Sequence, residues 1–272
     1  MRIAVLADIH GNLPAFEAAL ADAQAQKPDY LLIAGDLVVG SPDSAACWHL
    51  AQSLGVPLLR GNHERYVYDF GTPDAPAITQ TERFAPVRWA AAQFTAAEKA
   101  AMRTLPQTLR LPDVPDVLFV HASARNDGDL IFPYTPADDL DPMFAGTTER
   151  VIVRGHNHIA AVRLWRNRVI VTTGSVGLAQ DGSPTAQYLI LEGSKSGWEV
   201  CHRSTSYPVA QTVRRFHQSG YLAQTGVMGR LFLREVEAAA MWIVPFLRAY
   251  EEWEREGMTL EAGYARFLGG DG

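Results

Sequence analysis

Five short segments of the chain carry side chains able to hold metal ions: Asp8-Ile9-His10, Gly35-Asp36, Gly61-Asn62-His63-Glu64, His121 and Gly155-His156-Asn157-His158. Carboxylate, imidazole and amide oxygen without thiolate suit borderline or hard divalent ions such as manganese, iron, zinc or nickel. Two such ions lower the pKa of a water held between them and neutralise anionic charge as it builds, so hydrolysis is the chemistry to expect. A two-metal site about 3.5 to 4 Å across needs a shared ligand, and a carboxylate can bridge with both oxygens. Asp36 is the natural bridge. Residues two apart on an extended backbone point the same way, so Asp8 with His10, and His156 with His158, are expected to aim as pairs into one cavity.

Each segment follows a run of apolar or β-branched residues: 3–7, 30–34, 56–60, 117–120 and 151–154. These runs read as buried strands. Every candidate ligand therefore sits just past the carboxyl end of a strand, where open α/β sheets gather their sites. Between them, Asn12 and Pro14 read as the cap and first turn of a helix that stops at Lys27-Pro28. Asp43 to Leu54 reads as a second helix, closed by Gly55. Residues 65–110 form a helical insertion in which Thr95 and Glu98 match a capping box; Trp89 and Phe94 are expected to pack it. Two hairpins follow, 161–165 with 169–173 and 188–191 with 198–202. Parallel units first and hairpins later suggest two mixed sheets packed face to face.

The ordered motifs resemble the calcineurin-like metallophosphoesterase superfamily, with its D-x-H, G-D, G-N-H-[DE], H and G-H-x-H blocks. Thr172-Thr173-Gly174-Ser175-Val176-Gly177 and Asp181-Gly182 are similar to a stretch of its small bacterial and archaeal phosphodiesterase branch. The resemblance covers roughly residues 1–205. It implies an α/β fold, a four-layer α/β/β/α sandwich of two mixed sheets flanked by helices. It also implies two divalent ions, the first on Asp8, His10, Asp36 and His158, the second on Asp36, Asn62, His121 and His156. His63 is left without a metal and faces the substrate. Two departures stand out: Thr172-Thr173 replaces Asn-Pro, and Leu178-Ala179-Gln180 replaces Q-P-R, so an arginine often present in that branch is absent.

The expected activity is that of a phosphodiesterase acting on a small nucleotide or other small organic phosphate. A phosphomonoesterase or nuclease on the same centre, or a non-catalytic scaffold of the same fold, are the alternatives. His63 is the candidate general acid for the leaving alkoxide. Glu64 either orients it or is structural. Asn62 and His63 are also candidate substrate contacts, as is Arg125 in the polar loop after His121, with a solvated arginine as the bland alternative.

At 272 residues the chain is long enough for one large domain with an appendage. The expected division is a metallophosphoesterase domain over 1–207 and a C-terminal helical extension over 208–272. Within the extension, Val227 to Glu256 is helical in composition, and Pro245 should kink it. The stretch Ala238 to Leu247 is apolar on nearly all sides and too short to span a bilayer, so protein must cover it. Packing on the parent domain is preferred over a homo-oligomer contact or a cleft wall. No run of 18 apolar residues and no leader pattern is visible, so a cytoplasmic protein with no membrane partner is expected. Cys47 and Cys201, lacking metal-ligand spacing, are expected as buried free thiols. The formal net charge of -6 argues against nucleic acid as a partner.

Overall fold

The computed structural model describes residues 1–269. Its first part alternates β1 (Arg2–Leu6), α1 (Leu13–Ala25), β2 (Tyr30–Ile33), α2 (Ser44–Leu54) and α3 (Asn62–Asp69). The insertion supplies α4 (Ala85–Ala91) and α5 (Ala96–Thr104), then β3 (Thr108–Leu109), β4 (Val117–Val120), α6 (Ala137–Met143) and β5 (Val151–Arg154) follow. The hairpins are β6 (Ala161–Trp165) with β7 (Arg168–Thr172), and β8 (Ala186–Ser194) with β9 (Gly197–Thr205). The described chain closes with α7 (Val209–Gln218), α8 (Tyr221–Ala238), α9 (Ile243–Arg255) and α10 (Leu260–Gly269).

The strands form two mixed sheets, of order β2-β1-β8-β9 and β3-β4-β5-β7-β6. Their period-2 alternation divides each strand between two cores. Ile3, Val5 and Ala7 meet Val117, Phe119, Val151 and Val153 between the sheets. Ala4 and Leu6 face Phe16, Ala19 and Trp48 of α1 and α2 on one outer side. Leu118, Val120 and Ile152 face Leu140, Met143 and Phe144 of the α6 region on the other. The result is a helix, sheet, sheet, helix sandwich.

Local signals behave as their chemistry requires. Asn12 caps α1 by accepting from Ala15 N–H, and Gly55 closes α2 in the left-handed conformation. Thr95 and Glu98 form the reciprocal capping box. Residues 56–60 differ from expectation: they run beside β2 with a single bridge, Leu58 to Ile33, because Pro57 has no N–H to continue a ladder. Cys47 is buried, but Cys201 is exposed on the outward face of β9, one residue from the inward Val200.

The extension also departs from expectation. The helix breaks at Ala239, which is left-handed at φ 48°, and Pro245 lies in the first turn of α9, where its missing N–H costs nothing. A further bend falls at Gly226, with φ 55°. Phe246 is buried among Val227, Leu231, Tyr250, Trp253 and Tyr264, while Met241 and Val244 remain about two-fifths exposed, so the apolar stretch is covered on one side. Among the described residues no helix is long and apolar enough to cross a membrane.

The α8–α9 corner is clamped by Glu235, whose Oε1 accepts the N–H groups of both Trp242 and Ile243 at 2.8 Å. Burial pushes its carboxyl from 4.5 up to about 7. A raised folded-state pKa means that this group's stabilising contribution is full below the unfolded value and is lost as pH rises through about 7. Because one oxygen accepts both bonds, Glu235→Gln keeps them while removing the ionisation. The variant should gain on the wild type between about pH 4 and pH 8 by on the order of 3 kcal/mol, at 1.36 kcal/mol per pKa unit. Thermal melts of both proteins at the two pH values check this; a pH-independent difference would reject it.

Candidate metal centre

The ligand-bearing turns leave the strand ends in a conformation unusual for these residue types. Asp8, His10, Asp36, His156 and His158 all have positive φ, between 51° and 72°. Such backbone is strained for residues with a Cβ and persists only where the surroundings impose it. Here Ile9 and His10 N–H both bond Asp36 O, and Asp8 N–H bonds Gly35 O, locking the first two turns together. The expectation that Asp8 and His10, or His156 and His158, aim as extended pairs is therefore corrected: left-handed turns aim them, and the members of the second pair go to different clusters. Two glycines allow the turns to close. A Cβ on Gly61 would collide with Oδ1 of Asp36, and one on Gly155 would stand 2.8 Å from Ala7 Cβ and 2.9 Å from Asp8 Oδ2.

All seven candidate ligands and His63 converge. Asp8, His10 and His158 form one group with atoms within 4.8 Å of each other, and Asp36, His121 and His156 form another. His10 and Asp36 also group with His63. Asp36 lies between them: its Oδ2 is 3.2 Å from His121 Nε2, 3.8 Å from His10 Nε2 and 3.9 Å from His63 Nε2. Its Oδ1 accepts the His63 N–H at 2.9 Å, so a single oxygen, and not both, faces the two clusters. Asn62 presents Oδ1 3.1 Å from His121 Nε2.

The donor set fits cations. His10, His158 and His121 each hold Nδ1 against a carbonyl, Val39 O at 2.8 Å, Leu178 O at 2.9 Å and Ala34 O at 2.8 Å. A carbonyl only accepts, so each Nδ1 carries the proton and, in the neutral ring, Nε2 is bare. Burial, with the neighbouring imidazoles, keeps His10 neutral by lowering it to about 3 and drives His158 well down. Yet their Nε2 atoms are 3.0 Å apart. Two bare lone pairs at that distance repel unless a cation stands before them. At His121 burial opposes charge, but Asp36 and Asp8 outweigh it and raise the ring to about 9, so this position too favours a positive charge. The fixed second nitrogen is the arrangement by which ligand imidazoles are oriented in metal sites.

Other residues take different places from those the sequence suggested. Glu64 does not orient His63. Fully buried, it accepts Asp36 and Gly61 N–H with Oε2 and Leu37 N–H with Oε1, tying the two ligand loops together. His63 lies in α3, not in a loop, packs edge-on against Tyr66 and leaves Nδ1 buried with no hydrogen-bond partner among the described residues. Arg125 is nearly half exposed and gives its guanidinium to Asp129 in a bidentate pair at 2.8 Å. The sequence reading missed Arg154. Wholly buried at the end of β5, it bonds Ala122 O, Asp129 O and Asn157 Oδ1, joining the His121 and His156 loops. Nothing but its place one residue before Gly155 signalled this.

The model of the calcineurin-like phosphoesterase superfamily domain matches residues 1–196. An uncharacterized protein of Methanocaldococcus jannaschii is 25% identical over 195 residues, which is 71% of this chain and 75% of that protein. Among solved structures, a metallophosphoesterase from Sphaerobacter thermophilus aligns with a TM-score of 0.68 at 24% identity, over 88% of this chain and 100% of that one. A hypothetical protein from Pyrococcus horikoshii OT3 aligns with a TM-score of 0.70 at 16% identity, over 89% and 99%. At these identities the two structures bear on the fold alone.

Proposed function

The chain belongs to the calcineurin-like phosphoesterase superfamily, and on that premise we propose that it is a dinuclear metal-dependent phosphodiesterase acting on a small nucleotide or other small organic phosphodiester. The observation that carries the two-ion reading is the convergence of cation-favouring groups around Asp36, with His10 Nε2 against His158 Nε2 on one side and Asp36 Oδ2 and Asn62 Oδ1 against His121 Nε2 on the other. Asp8, His10, Asp36 and His158 would hold one ion; Asp36, Asn62, His121 and His156 would hold the other. Divalent ions there, manganese foremost, supply Lewis acidity toward phosphoryl oxygens and lower the pKa of an attacking water.

The protein's own groups do the rest. Asn62 and His63, on the first turn of α3, flank the ion positions and orient the phosphoryl group. His63, with its unpartnered Nδ1 and with Nε2 3.9 Å from Asp36, delivers a proton to the leaving oxygen as that oxygen takes the electron pair of the breaking P–O bond. Tyr66 at the side of His63 limits where the leaving group can lie.

A generic aryl phosphodiester and its monoester separate the readings. Chelated protein should be inactive, Mn²⁺ should restore turnover, and kcat/KM for the diester should exceed that for the monoester. A preference for the monoester would replace the diesterase reading by a phosphomonoesterase; absence of turnover of either ester with both ions bound would favour a scaffold.

A further inference from the structure

His10 and His158 each owe their orientation to one backbone carbonyl, and both carbonyls sit in loops on which α7 and α8 are packed. On the His158 side, the carbonyl belongs to Leu178, whose side chain is buried among Phe216, Tyr221, Phe232, Leu233 and Val236. The same loop is tied to the end of α8 by Gly182 N–H, which donates to Ala239 O at 2.8 Å. On the His10 side, the carbonyl belongs to Val39, and the next carbonyl, Gly40 O, accepts the hydroxyl of the fully buried Tyr221 at 2.6 Å. Gly40 is pressed between the two elements: a Cβ there would stand 2.9 Å from His10 Cβ and 3.4 Å from Phe232 Cε1. His121 is different. Its carbonyl partner, Ala34 O, lies in the core between the sheets, which among the described residues contains none beyond Val200.

We propose that the C-terminal helices position one ion subsite, that of His10 and His158, through the Gly40 and Leu178 loops, with Tyr221 as the positioning residue. The inference rests on the two-ion reading above. An imidazole ligand is aimed by the acceptor on its second nitrogen, so a carbonyl that shifts re-aims Nε2 and weakens the ion. Leu178, one of the residues that departs from the related branch, is the side chain by which this loop enters the core of the extension.

Tyr221→Phe in the full chain removes the hydroxyl and keeps the ring. In metal-free protein the imidazole resonances of His10 and His158 should move, while those of His121 stay. On titration with Mn²⁺ followed by calorimetry, one of the wild type's two ions should weaken about tenfold, the lower end of the range for groups that orient ligand imidazoles; the other should be unchanged. If the variant is unfolded by thermal melt, Phe232→Leu replaces it in both measurements. Trp253→Phe, within the outer core of the extension, should alter neither. Unchanged affinities, or equal weakening of both ions, would overturn the positioning role. A wild type that binds fewer than two ions would overturn the two-ion reading, and the proposal with it, whatever the variant does.

Discussion

Asp36→Asn is expected to abolish most turnover while the protein remains folded. His63 N–H needs an acceptor at the Oδ1 position, 2.9 Å away, so the amide oxygen of the variant is drawn there. That places the NH2 group where Oδ2 now faces His121, His10 and His63 at 3.2 to 3.9 Å. With the Asp36 charge gone, the largest cause raising the His121 ring goes too, and the two N–H donors meet imidazole nitrogens able to accept. The fold tolerates this, because donors meet acceptors, but the position where both ions would share a ligand becomes repulsive to cations. Both ions should weaken together, and turnover should fall by more than the roughly 10- to 100-fold typical of residues that only orient ligands. Ion stoichiometry, turnover and a thermal melt of the same preparation check it. Two ions still bound with turnover intact would sink the bridging role of Asp36.

His63→Ala separates binding from chemistry. His63 also stands in a cluster with His10 and Asp36, but among the described residues its buried Nδ1 has no hydrogen-bond partner. As a proton donor it should contribute roughly 10²- to 10⁴-fold to turnover, with both ions still bound. The loss should depend on the leaving group. An ester of a high-pKa alcohol needs the proton, whereas an activated aryl oxide departs as the anion and should suffer much less. Were His63 only to hold the phosphate, both esters would lose equally. Equal losses, or disappearance of an ion, would reject the acid role.

The position of the centre was readable because its determinants are local. A run such as Val117–Val120 followed by His121 states both a buried strand and a side chain at its carboxyl end, and period-2 alternation assigns each apolar residue to one of two cores. Caps behave likewise: Asn12, Thr95 and Gly55 act within one helical turn, so their effect is contained in a few neighbouring residues. Proline was legible only in part. Pro57 thinned a run read as a strand to one bridge, and Pro245 began a helix instead of bending one, since the break had already fallen at Ala239.

What sequence could not supply is long-range partnership. Glu64 stood beside His63 and invited a role there, yet its oxygens serve backbone N–H groups of Asp36 and Leu37 as well as Gly61. Arg125 looked poised for phosphate until Asp129 took it. Arg154 carried no motif, and only the meeting of three loops shows why a guanidinium can be buried there with its donors satisfied. The residue types of the centre, their order, the sheets that carry them and the chemistry of their ligand atoms were thus contained in the chain's local pattern. Which oxygen of Asp36 faces the clusters, which carbonyl fixes each imidazole, and that α8 reaches the His10 loop through Tyr221 were decided by packing between segments up to 181 residues apart, where no local periodicity constrains the geometry.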